Sequence, residues 1–127
     1  MSNYVLDASA LLALLQQEPG SEIVAVALQH ASISTVNWSE VLQKSILQGI
    51  YTEDMQSEFE VLGVKIIPFS AQQADLAAQL CQKTKFLGLS LGDRACLALA
   101  IDQKAIALTA DKVWTQLQIG IEVQLIR

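Results

Sequence analysis

Short apolar runs alternate with longer stretches of helical periodicity along the chain. Tyr4-Val5-Leu6 reads as a first buried strand. A helix is expected from about Ser9 to Gln17, stopped by Pro19-Gly20. Ser21 stands where a cap for the next helix belongs, and that helix carries Ile23, Val24, Ala27 and Leu28 on one face. Ala31 to Thr35 reads as a second strand. Asn37-Trp38-Ser39-Glu40 has the spacing of a capping box and opens a helix to about Gln48, with Gly49 as its stop. Thr52 begins another helix through Met55, Phe59 and Leu62, ended by Gly63. Val64 to Ile67 is a third strand, closed by Pro68. Ser70-Ala71-Gln72-Gln73 repeats the capping-box spacing and starts a long helix to about Lys85. A loop from Phe86 to Gly92 leads to a helix opened by Asp93, with Ala95, Cys96, Leu99 and Ala100 as a packed stripe. Ala105 to Leu108 is a fourth strand, Val113, Trp114 and Leu117 lie on a short helix, and Ile121 to Ile126 is a terminal strand.

Strands separated by helices imply an α/β fold with parallel pairing, right-handed crossovers and helices on both faces of the sheet. There is no linker, internal repeat or low-complexity tract, so residues 1–127 read as a single domain.

Hydrophobic residues make up 52% of the chain and aromatics only 6%, so the core is expected to be mostly aliphatic. No apolar run reaches the roughly 18 residues that span a bilayer. The longest, Ala8 to Leu15, has no basic segment before it, so neither a signal peptide nor a membrane anchor is expected. Cys81 and Cys96 are too few for a disulfide framework or a metal motif, and both read as small buried hydrophobes in a reducing cytoplasm. With His30 the only histidine, catalysis by a histidine base or a zinc–histidine centre is excluded as a working reading. The net charge of −5 argues against a broad basic face for nucleic acid. It remains compatible with an enzyme that meets phosphate through divalent ions, and it suits a basic partner.

Four acids stand out by position. Asp7 and Asp111 each follow a predicted strand, and Glu40 and Asp93 each lie at a predicted helix start. In a parallel α/β sheet these places share one edge, outside the carboxyl ends of the strands, where ligands bind. Ionised carboxylates gathered there would repel one another, and Mg²⁺ or Mn²⁺ would relieve that repulsion. Each acid also has a structural explanation. Asp7 or Ser9 can cap the first helix, Glu40 can close its capping box on Asn37, and Asp93 and Asp111 suit helix N-termini. For Glu40 alone the structural reading is the stronger; the joint placement is what points to a site. Glu53, Asp54, Glu58 and Glu60, by contrast, read as a solvated face of one helix.

The sequence resembles PIN-domain proteins over nearly its whole length, and specifically the VapC toxins of bacterial toxin–antitoxin pairs. The resemblance rests on Val-Leu-Asp-Ala-Ser-Ala-Leu-Leu-Ala-Leu-Leu around Asp7 and Ser-Thr-Val-Asn-Trp-Ser-Glu-Val around Glu40. It continues in Leu-Ser-Leu-Gly-Asp-Arg-Ala-Cys-Leu-Ala-Leu-Ala around Asp93 and Leu-Thr-Ala-Asp-Lys-Val-Trp around Asp111. It implies a three-layer PIN-like fold with a five-stranded parallel sheet in the order 3-2-1-4-5, flanked by helices. It also implies a divalent-metal-dependent endoribonuclease in which Asp7 and Asp93 hold the principal metal, Mg²⁺ or Mn²⁺, and Glu40 and Asp111 complete the site. All four acidic positions of the family are filled. Thr109 and Ser9 match its supporting hydroxyls, and Arg94 and Lys112 are candidate phosphate contacts. The implied partners are an RNA substrate, a small antitoxin laying a helix and a basic tail over the site, and a second copy in a homodimer. The apolar helices from Asn37 to Leu62, with Trp38, Ile46, Ile50 and Phe59, offer part of an interface, although core packing is the stronger reading for most of these residues.

Other families fit less well. A haloacid-dehalogenase-like phosphatase wants a second Asp where Ser9 stands. A receiver domain wants a phosphoacceptor Asp where the third strand ends in Pro68-Phe69-Ser70. A PIN-fold RNA-binding or scaffold module without catalysis, and an RNA-processing nuclease that is not a toxin, stay open as alternatives.

Overall fold

The computed structural model describes residues 3–127. Five strands, β1 (Tyr4–Leu6), β2 (Ala31–Ser34), β3 (Lys65–Ile67), β4 (Ile106–Thr109) and β5 (Val123–Leu125), form one sheet in the order β3-β2-β1-β4-β5. Every pairing is parallel; Leu6 lies opposite Ile33 on one side and Leu108 on the other. Six helices connect them: α1 (Ala8–Leu15), α2 (Ser21–Ala27), α3 (Thr35–Leu47), α4 (Met55–Val61), α5 (Ala71–Thr84) and α6 (Leu91–Gln103). Short 3₁₀ turns cover Leu28–His30, Lys85–Leu87 and Lys112–Gln116. The three layers and the strand order agree with the expectation from the sequence.

Successive strand residues face opposite sides of a sheet, and this divides the core in two. Leu6, Ile33 and Leu108 pack on one face with Leu11, Val24, Trp38, Val41 and Phe59, drawn from α1 to α4. Val5 and Ala107 pack on the other with Leu80 of α5, the buried face of α6 and Trp114. Ala95 through Ala100 are all buried, so α6 shows no polar stripe over that stretch, as expected of a helix enclosed on every side. Gly20 opens α2 at φ 96°, and a Cβ there would lie 2.4 Å from the Ile126 carbonyl oxygen. The start of α2 therefore seats directly on the last turn of chain, where only glycine fits.

Several local expectations are corrected. Gly20, not Ser21, occupies the N-cap of α2, and no side chain caps it. The second strand ends at Ser34, whose hydroxyl accepts from the Val36 amide and starts α3 three residues before the predicted Asn37. Asn37 is thus inside the helix, and Glu40 lies in its second turn. At α5, Ser70 caps the Gln73 amide, but the Gln73 side chain turns to Asp102 instead of closing a capping box. Cys96 is buried as expected, whereas Cys81 is exposed. Trp38 and Phe59 are core residues packed edge-to-face at 5.9 Å, while Ile46 and Ile50 are exposed. Among the described residues no helix is long and apolar enough to cross a membrane.

Candidate active site

Asp7 leaves the end of β1 and caps α1, so its structural and its candidate chemical role fall on the same side chain. It is only 5% exposed. Ser9 Oγ donates to Oδ1 at 2.7 Å, the Ala10 amide donates to the same oxygen at 2.9 Å, and Thr109 Oγ1 donates to Oδ2 at 2.5 Å. Both hydroxyls are anchored in turn: the Ala110 amide donates to Ser9 Oγ and the Asp111 amide to Thr109 Oγ1, each at 3.0 Å. Ser9 contacts Asp7 from the first turn of α1, and Thr109 reaches it because β1 and β4 are neighbours. Burial pushes the Asp7 carboxyl from 3.8 up to about 6; the bonds from Thr109, Ser9 and Ala10 oppose the rise and the charge of Asp93 adds to it.

Asp93 is the third residue of α6. Ser90 Oγ accepts from its amide at 3.1 Å, and its Oδ2 accepts from the Ser90 amide at 2.9 Å, a complete capping box. Oδ1 accepts no hydrogen bond among the described residues.

Glu40 reaches the same place from α3. Its Oε1 accepts from Asn37 Nδ2 at 3.1 Å, and the same amide donates to the Gly92 carbonyl at 3.0 Å. The Glu40 oxygens lie over Gly92, where a Cβ would meet them at 2.6 and 2.7 Å. Cys96, one turn beyond Asp93, sits beneath the group. Burial pushes its thiol well above its ordinary range, and the charges of Asp7, Asp93 and Glu40 add to the effect. A thiol held in that state is no nucleophile. The three carboxylates, from three elements, thus all lie within electrostatic reach of one buried sulfur.

Asp111 is attached differently. It caps the final 3₁₀ turn by accepting from the Val113 amide at 3.1 Å, and its backbone is tied to Thr109. Its charge is not among those felt at Asp7 or Cys96. Lys112 beside it is exposed. Arg94 is half-buried, with Nη1 donating to the Ala77 carbonyl of α5 at 3.0 Å. It pairs with no acid among the described residues, whose one ion pair is Arg127–Glu18.

The donor set suits a hard divalent cation. Asp7, Asp93 and Glu40 offer carboxylate oxygens, and among the described residues no basic side chain pairs with them. No three acidic, cysteine or histidine groups among the described residues already stand close enough to close around one ion. Mg²⁺ commonly takes one or two protein carboxylates and keeps several waters, so it does not need a preformed trio. A cleft of about 680 Å³, lined by Leu76, Leu80, Lys83 and Ile101 among others, contains none of the four acids.

Asn37 is the residue that sequence reasoning misses. Its spacing from Glu40 suggests a cap and hides its contact with α6. Its place four residues before the core residue Val41, on the inward face of α3, is the available signal.

The PIN-domain family profile matches residues 4–119. No curated relative matches the sequence. The fold is similar to that of a chain in a DNA-bound VapBC complex from Salmonella typhimurium, with TM-score 0.76 and 12% identity over 100% of both chains. It is also similar to a chain in a toxin–antitoxin complex from Klebsiella pneumoniae, with TM-score 0.76, 20% identity and 98% of each chain covered. A third similar structure is a VapBC-5 chain from Mycobacterium tuberculosis, with TM-score 0.56, 19% identity and 98% of each chain covered.

Proposed function

The chain belongs to the PIN-domain family, and on that premise we propose that it is a divalent-metal-dependent endoribonuclease acting as the toxin of a VapBC-type pair. One observation carries the chemistry: Asp7 is buried within electrostatic reach of Asp93 and has no basic partner among the described residues. Buried charges are ordinarily paired or coordinate metals, and among the described residues this carboxylate is compensated by hydroxyl and amide hydrogen bonds alone.

In this reading Asp7 and Asp93 hold the cation, with Glu40 and Asp111 completing the site directly or through water. Bound there, Mg²⁺ or Mn²⁺ supplies Lewis-acid polarisation of the phosphoryl group and lowers the pKa of an attacking water. Ser9 and Thr109 fix the Asp7 carboxylate in one orientation and favour its ionised form. The capping box at the α6 N-terminus fixes the orientation of Asp93. Asn37 orients Glu40 without cancelling its charge. Lys112, exposed next to Asp111, is free to meet substrate phosphate, whereas Arg94 is already engaged by α5. In-line attack of water on phosphorus would break the P–O3′ bond, and the departing 3′-oxygen would take up a proton, leaving a 5′-phosphate and a 3′-hydroxyl.

The partners proposed are RNA, a small antitoxin with a basic tail that complements the net charge of −5, and a second copy of the chain. The exposed Ile46, Leu47 and Ile50 at the end of α3 support such an interface. The alternative, regulated RNA binding without cleavage, draws on the open spacing of the carboxylates. The two readings separate when partner-free protein is incubated with a mixed cellular RNA pool, with and without Mg²⁺ or Mn²⁺. The nuclease reading predicts metal-dependent cuts that are absent with Asp93→Asn. RNA retention without cuts would favour the binding module.

A further inference from the structure

We propose that Asn37 is a positioning residue which, with Gly92, fixes Glu40 against the first turn of α6 and so sets the affinity of the site for its divalent cation. The proposal rests on the metal-dependent activity inferred above.

Asn37 is 1% exposed and both protons of its amide nitrogen are committed. Nδ2 donates one proton to Glu40 Oε1 and the other to the Gly92 carbonyl. A reversed amide would set Oδ1 against two acceptors, so the orientation is fixed. The price of this arrangement is visible at the other end, since Oδ1 is buried with no hydrogen-bond partner among the described residues. An apolar side chain on the inward face of α3, beside Trp38 and Val41, would avoid that penalty.

Gly92 is the second locally unfavourable choice. Glycine within a helix is less stable than alanine, yet a Cβ here would strike both Glu40 oxygens. Two breaches of local preference therefore meet at one carboxylate, as expected where function outweighs stability. The donor is also chemically apt. A lysine or arginine in its place would neutralise Glu40, whereas a neutral amide orients the carboxylate and leaves its charge for a cation. Asn37 further couples two helices, because the carbonyl it binds precedes Asp93. One amide thereby fixes the relative placement of two of the acids.

The test is calorimetric titration of Mn²⁺ into the full chain as wild type, Asn37→Ala, Gly92→Ala and Asp93→Asn, with thermal melts and RNA cleavage over a range of Mn²⁺ concentrations. The expected result is an Mn²⁺ Kd raised about ten-fold or more in both Asn37→Ala and Gly92→Ala, in the range seen for groups that support metal ligands. Cleavage should recover at saturating Mn²⁺. Gly92→Ala leaves Asn37 in place and displaces only Glu40, so it decides the matter if Asn37→Ala does not fold. A Kd within two-fold of wild type in a folded variant overturns the proposal. So does lost cleavage with unchanged Mn²⁺ binding, which would assign Asn37 to the RNA instead. Wild-type protein that neither binds Mn²⁺ nor cleaves RNA would refute the metal-nuclease reading itself, and the proposal with it.

Discussion

The chain carries two acidic groups, and only one of them is built like a site. Glu53, Asp54, Glu58 and Glu60, on and just before α4, are all exposed. Their contacts are local: Tyr51 donates to Glu53, and Asp54 stands at the N-cap of α4 without a side-chain capping bond. At the sheet edge, Asp7, Glu40 and Asp93 come from three separate elements, are oriented by Ser9, Thr109, Asn37 and Ser90, and share Cys96 as a buried neighbour. Acidity is common to both groups. Burial of an acid, at Asp7, and bonds that tie the acids' surroundings to distant elements, Thr109 to Asp7 and Asn37 to Gly92, belong to one alone, and those are the features that make a carboxylate a cation ligand rather than a solubilising charge.

The largest expected contrast is in catalysis. Asp93→Asn or Asp7→Asn should lower RNA cleavage by about a thousand-fold or more, because several kcal/mol of metal-derived stabilisation is lost at about 1.36 kcal/mol per factor of ten. Glu58→Gln with Glu60→Gln should stay within about two-fold in the same assay. Loss of cleavage from the α4 pair would break the contrast.

Stability should move in the opposite sense. The Asp7 carboxyl titrates near 6 in the folded chain against 3.8 ordinarily. Folding therefore favours its protonated form. That contribution is fully present below about pH 3.8 and is lost as pH rises through about 6. In EDTA at pH 7, Asp7→Asn should raise unfolding free energy by up to about 3 kcal/mol, since each ten-fold change in proton affinity on folding is worth about 1.4 kcal/mol. Denaturant unfolding at pH 5 and pH 7 checks this. The variant should also lose the part of the pH dependence that comes from this carboxylate, and an unchanged dependence would contradict the burial argument.

Smaller again is Thr109→Val. It removes one donor to Asp7 and one acceptor for the Asp111 amide. We expect about a ten-fold loss of metal affinity or activity, measured as the Mn²⁺ concentration for half-maximal cleavage. The smallest effect should come from the α4 acids, where Glu58→Gln should shift stability by no more than about 0.5 kcal/mol in denaturant unfolding.

How far the sequence is legible follows the same division. Asp7 and Asp111 stand just past strand ends, as an apolar run ending in an acid indicates in a parallel fold. The strand order comes from resemblance to the family and agrees with the structure, since periodicity carries no information about neighbours. The entry to α3 departs from the sequence pattern because Ile33 and Thr35 are good strand formers, which extends the expected strand one residue too far, past the Ser34 cap. That shift moves Asn37 to the cap and ties Glu40 to a role it does not have. The Ser90–Asp93 capping box is present in the spacing but is obscured by the chemical reading of Asp93. Neither the Asn37 bridge nor the Thr109–Asp7 bond is legible, because each joins residues far apart in sequence and depends on packing of elements rather than on local pattern.

The central claim is that divalent cations bind at the sheet edge and not at the other acidic face. Crystals soaked in Mn²⁺ and measured at the manganese absorption edge test it directly. An anomalous peak is expected within coordinating distance of Asp7 and Asp93, with Glu40 nearby and none at α4. A peak on Glu58 or Glu60, or no peak at the sheet edge under saturating Mn²⁺, would contradict it.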